Sequence, residues 1–181
     1  MLLVVDNGSV YTNSIIECLK EIKANYRHVL FDKITESDIE DSRSIVLSGR
    51  RQNDSTMNAT NSKLIRYCLA KKKPLLGICY GAEILAITLG GTIKKMAEPR
   101  HGIHKVSVTQ DNPLCRGKVQ AFESHSYKIA TLDPSFIVLA SSQACQFEIF
   151  RYGSENIFGT QFHPEMSDDG KNILKNFVSI K

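Results

Sequence analysis

Long apolar runs are missing from this 181-residue chain. No stretch approaches the roughly 18 uncharged residues that a membrane-crossing helix needs. The first residues pass directly into a strand-like Leu2-Leu3-Val4-Val5, with no basic leader or cleavage site. The expectation is a protein without membrane attachment, unexported and working in the cytoplasm. A disulfide framework is missing too: Cys18, Cys68, Cys79, Cys115 and Cys145 are odd in number and widely scattered, which points to a reducing compartment. No Cys-x-x-Cys occurs, and His101-Gly102-Ile103-His104 has no further ligands at suitable spacing, so no metal is expected. Nor is there a concentrated stripe of one charge. The net charge is +4, with basic residues in small groups (Arg50-Arg51, Lys71-Lys72-Lys73, Lys94-Lys95). Nucleic-acid binding is therefore not expected. Lys71 to Lys73 reads as a helix C-terminus complementing its dipole, and part of the surplus is available to face an acidic partner protein.

What is present suits one compact unit. A chain 42% hydrophobic and 181 residues long can bury a sizeable core, and a single domain spanning 1–181 is expected. Strand-like runs at 2–5, 27–31 and 44–48 alternate with helical stretches around Ile15, Ile16, Leu19 and Ile22 and over 35–41. Ser9 or Asn7 is the expected cap of the first helix, and Thr35 that of the second. Gln52 to Asn61 reads as a polar surface loop, and 62–72 as a helix buried through Leu64, Ile65, Cys68 and Leu69. Such alternation implies parallel strands with crossover connections, hence a flavodoxin-like, doubly wound α/β sheet. Beyond Thr92 the pattern changes to short alternating segments at 105–109, 119–122, 136–140, 146–150 and 157–162, an antiparallel extension before the last strand. Ser167 or Asp168 begins the closing helix.

Two stretches carry chemistry. In Pro74-Leu75-Leu76-Gly77-Ile78-Cys79-Tyr80-Gly81-Ala82-Glu83 a buried strand meets a cysteine between two glycines and turns helical. A sharp strand-to-helix turn exposes the residue at the bend, and the new helix aims its free N–H groups at the sulfur. Far downstream, His163-Pro164-Glu165 places an imidazole and a carboxylate two residues apart, on one face of an extended chain. Pro164 ends the strand there. Such a pair can move the proton of a nucleophilic thiol, the carboxylate holding the ring.

Together these motifs resemble the class I, triad-type glutamine amidotransferases, and the likeness runs the length of the chain. Within that family it extends furthest toward the glutaminase subunits of GMP synthetases, through Asp6-Asn7-Gly8-Ser9-Val10-Tyr11-Thr12, Glu123-Ser124-His125-Ser126 and Cys145-Gln146-Phe147-Glu148. The resemblance implies glutamine as substrate, Cys79, His163 and Glu165 as the catalytic relay, and the N–H of Tyr80 as an oxyanion donor. It implies no cofactor, and it makes a separate ATP-using synthetase subunit the recipient of ammonia. It also places Gly49, Glu83, Ser124 and His125 around the substrate. Two residues depart from the family pattern. Arg50 stands where the family has the second glycine of Gly-Gly-Pro, an oxyanion donor, and an arginine tolerates positive φ poorly. Glu83 stands where the family has glutamine; it is free either to hold the substrate's α-ammonium group or to pair with Arg50 or Arg51. These departures keep other readings open: a stand-alone hydrolase of glutamine or γ-glutamyl compounds, a subunit of another pathway such as anthranilate synthesis, or a catalytically silent docking subunit.

Overall fold

The structure is a computed structural model that describes residues 1–180. Its elements follow the order β1 (Leu2–Asn7), α1 (Thr12–Glu21), β2 (Tyr26–Leu30), α2 (Glu36–Asp41), β3 (Ser44–Arg50), α3 (Ser55–Lys71), β4 (Leu75–Ile78), α4 (Tyr80–Thr88), β5 (Thr92–Val108), β6 (Lys118–Thr131), β7 (Phe136–Ser141), β8 (Ile149–Tyr152), β9 (Ile157–Thr160), a 3₁₀ turn (Pro164–Met166) and α5 (Asp168–Val178). All nine strands join one sheet in the order β2-β1-β3-β4-β9-β8-β7-β5-β6. The pairings from β2 through β9 are parallel, and those through β8, β7, β5 and β6 are antiparallel. The sheet is thus doubly wound with an antiparallel extension.

Alternation along β1 sorts the core into two layers, because successive strand side chains point to opposite faces. Leu2 and Val4 join Ile15 and Leu19 of α1 and Ile173, Leu174 and Phe177 of α5 on one face. Leu3 and Val5 join Leu64, Ile65 and Cys68 of α3 and Ala82 and Leu85 of α4 on the other. Covered on both sides, the central strands tolerate almost no polar residue. The C-terminal ends of β1, β3, β4 and β9 converge on one edge, where doubly wound sheets place their ligands.

The structure corrects several expectations. Seven of the ten residues of the loop expected over Gln52 to Asn61 are helix: Asp54 caps α3 by accepting from the N–H of Met57 at 2.7 Å, and Met57 and Asn61 are buried. Neither Ser9 nor Asn7 caps α1, whose N-cap is Tyr11 without a side-chain bond. Asn7 instead bridges Ser48 and Asn61 across the β1–β3–α3 junction. Thr35 does cap α2, in a reciprocal box with Asp38, and Ser167 caps α5. The segments expected at 105–109 and 119–122 are the ends of a far longer hairpin, β5 with β6, 17 and 14 residues in length. The strand expected at 146–150 sits at Ile149–Tyr152, since Glu148 is drawn aside to accept from Ser142 Oγ at 2.6 Å.

Candidate active site

Cys79 occupies the turn between β4 and α4, with φ 51° and ψ −103°. Lys72 shares the positive φ, at 53°, but with ψ 32° it is ordinary left-handed helix; the ψ of Cys79 lies far from that basin. Such a conformation costs about 1–3 kcal/mol and persists only where the surroundings enforce it. Here they do. The Cys79 N–H donates to Thr160 O at 2.8 Å, and its carbonyl accepts from Ala82 and Glu83 to start α4. Both neighbouring glycines are sterically required, because a Cβ on Gly77 would overlap the Gly81 backbone and one on Gly81 would overlap the carbonyl of Leu47. The sulfur is thereby held at the mouth of a helix, on the wall of a cleft of about 980 Å³.

His163 comes to this sulfur from β9. Its N–H donates to Phe122 O at 2.8 Å, and Nδ1 bonds Glu165 Oε1 at 2.8 Å, leaving the opposite ring nitrogen for Cys79. Glu165 gets there by way of the 3₁₀ turn that begins at Pro164, not along an extended chain as the spacing had suggested. The ring is gripped on its remaining sides. Tyr11 meets it edge-on with centroids 4.6 Å apart, and Gly49 lies so close that a Cβ there would come within 3.0 Å of Cε1. Burial alone would push the imidazole down; the charge of Cys79, the carboxylate of Glu165 and a hydrogen bond to each overcome that and hold it well above 6.5. The arrangement favours a protonated ring beside the sulfur.

Arg50 ends β3 and needs no positive φ, which removes the conflict the sequence raised. Its guanidinium lies over the Tyr80 ring at 4.2 Å and donates to Asn53 and Asn58, and the Tyr80 hydroxyl donates to Asn58 at 2.8 Å. Tyr80 is the first residue of α4, so its N–H has no acceptor within the helix. Glu83 is buried one turn further on and accepts from Gln161 Nε2 at 3.4 Å. Ser124 lines the cleft and accepts from the Tyr11 hydroxyl at 3.1 Å. His125 also lines it, yet both its ring nitrogens are spent, on Tyr127 O at 2.7 Å and Glu123 Oε2 at 3.2 Å. It has no free nitrogen for a substrate.

The fold brings together all nine residues singled out from the sequence, and adds four. Tyr11 braces His163 and Ser124. Gln161 orients Glu83. Arg100 stands in the cleft wall, paired through two nitrogens with the fully buried Glu123. Behind Glu123, burial and that neighbouring charge push the Glu148 carboxyl up to about 7. Tyr11 and Glu123 lay inside stretches that carried the resemblance, which was the one available signal; Gln161 and Arg100 had none, since their roles come from strand pairing. Among the described residues no cluster of three or more potential metal ligands occurs.

A family model described as class-I glutamine amidotransferase matches residues 3–180. The chain belongs to that family. Among curated proteins, one of the subunits of a glutamine-hydrolysing GMP synthase from Thermoplasma acidophilum is 32% identical over 185 residues, covering 99% of this chain and 92% of that one. The glutamine-hydrolysing GMP synthase of Escherichia coli K12 is 30% identical over 192 residues, which are 98% of this chain and only 36% of the longer enzyme. Among solved structures, one described as a GMP synthase subunit from Thermoplasma acidophilum superposes with a TM-score of 0.87 at 31% identity, covering 98% of this chain and 91% of that one.

Proposed function

We propose that this chain is the glutaminase subunit of a two-subunit GMP synthase, a single cytoplasmic domain that releases ammonia from glutamine for a separate ATP-using synthetase converting XMP to GMP. One observation carries the reading: a Cys79 held in a strained turn at the N-terminus of α4, beside an imidazole whose Nδ1 is fixed on a buried carboxylate. The relatives named above support the destination of the ammonia, the shorter one matching along nearly its whole length and the longer one over about a third.

In this reading the Cys79 thiolate adds to the side-chain carbonyl carbon of glutamine. The C=O π pair moves to oxygen, and the N–H of Tyr80, with that of Arg50 at the end of β3, faces the oxyanion. Collapse expels nitrogen, which takes a proton from the His163 imidazolium and leaves as ammonia, with a γ-glutamyl thioester behind. Water, deprotonated by the now neutral ring, attacks the thioester; the C–S bond breaks and glutamate departs. Glu165 orients the ring throughout. Gly49, Glu83 and Ser124 border the substrate, and His125 shapes the wall. Five free cysteines suit a reducing compartment.

The test is ammonia release from glutamine with and without an XMP- and ATP-loaded synthetase subunit, comparing wild type with Cys79→Ala. Release that rises with the synthetase and vanishes in the variant is expected. Release unaffected by the synthetase supports a stand-alone hydrolase, and none in either condition a silent docking subunit.

A further inference from the structure

Behind the cleft wall, β6 buries charge. Its inward residues alternate as the pleat requires, Val119, Ala121, Glu123 and His125, so the buried side of the strand passes from apolar to ionic as it reaches the site. Glu123 is 0% exposed, and its carboxylate gathers two partners. Arg100 of β5 donates through Nε to Oε2 and through Nη2 to Oε1, the latter at 3.1 Å, and His125 Nε2 lies 3.2 Å from Oε2. Burial pushes the Glu123 carboxyl up, but the bonds from His125 and Arg100 outweigh it and hold the group below the usual carboxylate range. The charge is therefore present. Stability alone does not call for it, since apolar side chains of similar volume commonly serve a fold as well as a buried ion pair does, or better.

The two chain neighbours of Glu123 grip His163 from different directions. The Phe122 carbonyl accepts from the His163 N–H at 2.8 Å, an isolated bridge between β6 and the residues that follow β9. Ser124 Oγ accepts from the Tyr11 hydroxyl at 3.1 Å, and Tyr11 meets the imidazole edge-on. Both contacts depend on where this one stretch of β6 lies. The backbone ladder does not fix it from both sides: the β5–β6 register shifts between Lys95 and Arg100 and resumes with Arg100 opposite His125. Arg100 and Glu123 are thus diagonal neighbours at the first rung after the break, within reach of each other's long side chains. Their fork ties the strand down where backbone pairing lapses, and two parallel N–H bonds set a direction that apolar packing does not.

We propose that Glu123 is a positioning residue for the ammonia-releasing reaction, clamping Phe122 and Ser124 of β6 through Arg100 and His125 so that His163 stays aligned with Cys79 and Glu165. The inference rests on the glutaminase reading given above. Glu123 does not line the cleft, so it acts at one remove, through the strand. A shift of about 1 Å in a reacting group costs up to about a hundredfold in rate. The pH dependence separates displacement of the ring from loss of a charge. Burial lowers His163, and Cys79 and Glu165 hold it up; Glu123 is not one of these partners, so His163 falls in a Glu123 variant only when the ring leaves them.

The experiment measures kcat and its pH profile for ammonia release from L-glutamine, with the synthetase subunit present, in wild type, Glu123→Gln and the double variant Arg100→Met/Glu123→Leu. Circular dichroism checks that each variant folds. The double variant leaves neither member of the pair charged and alone, and it is expected to fold. Both variants should lose roughly 10- to 100-fold in kcat, and the alkaline limb set by His163 should move to lower pH in each. A folded variant with unchanged kcat, or with its alkaline limb in place, overturns the positioning role. Failure of both variants to fold overturns it too, by making the pair structural alone. No ammonia from wild type overturns the glutaminase reading itself, and this inference with it.

Discussion

Glu165 does two things for His163, and they separate by experiment. Its hydrogen bond to Nδ1 fixes which nitrogen faces the sulfur, and its charge helps hold the ring protonated. Below the raised value the imidazolium can protonate the leaving nitrogen; as pH climbs through that value the proton is lost and so is the rate. Glu165→Gln keeps the shape and removes the charge. We expect kcat to fall by roughly a hundredfold or more and the alkaline limb of the pH–rate profile to move to lower pH. A profile whose alkaline limb stays in place would show that Glu165 only fills space. The relay was readable in the sequence because covalent neighbours carry its geometry: Gly77 and Gly81 permit the elbow, and Pro164 opens the turn that swings Glu165 under the ring. The roles of Tyr11, Gln161, and Arg100 with Glu123 were not readable, although Tyr11 and Glu123 lay in stretches that carried the resemblance. These residues reach the site by pairings more than 20 residues apart in sequence, which no local pattern encodes.

At the scale of elements, the site depends on how closely α4 approaches β3. Gly81 lets the first turn of that helix rest on the carbonyl of Leu47, and this contact holds the Cys79 backbone in its strained conformation. Gly81→Ala is therefore expected to destabilise by about 3 kcal/mol or more, the upper range for overpacking against backbone. Denaturant unfolding monitored by circular dichroism measures it, and a loss below about 1 kcal/mol would mean that the helix can retreat without cost. The elements that sequence misplaced have physical reasons. Five of the seven residues from Ser55 to Asn61 are Ser, Thr or Asn, with only Met57 and Ala59 as strong helix formers, so the segment's polarity masked a helix that the Asp54 cap starts. β5 and β6 carry charged and exposed residues through much of their length, because one face of this hairpin looks to solvent, and the two-residue hydrophobic period shows only near its ends.

For the molecule as a whole, the parallel half of the sheet supplies nucleophile and base, and the antiparallel half closes over them. Cys79 follows β4 and His163 follows β9, neighbouring strands in the sheet, while β6 brings Phe122, Ser124 and His125 across from the hairpin. The doubly wound architecture was legible from the alternation of strands and helices; the length and reach of the hairpin, which completes the cleft, was not. The central claim is that this assembly activates one sulfur of five toward the side-chain carbonyl of glutamine. It is tested most directly by treating the chain, with its synthetase subunit present, with a chloroketone analogue of glutamine and mapping the modified residue by peptide mass spectrometry. The account predicts a single label on Cys79, prevented by excess glutamine and slowed at least tenfold or so in His163→Ala; a label spread over Cys115 and the other cysteines, or Cys79 left unmodified, would contradict it.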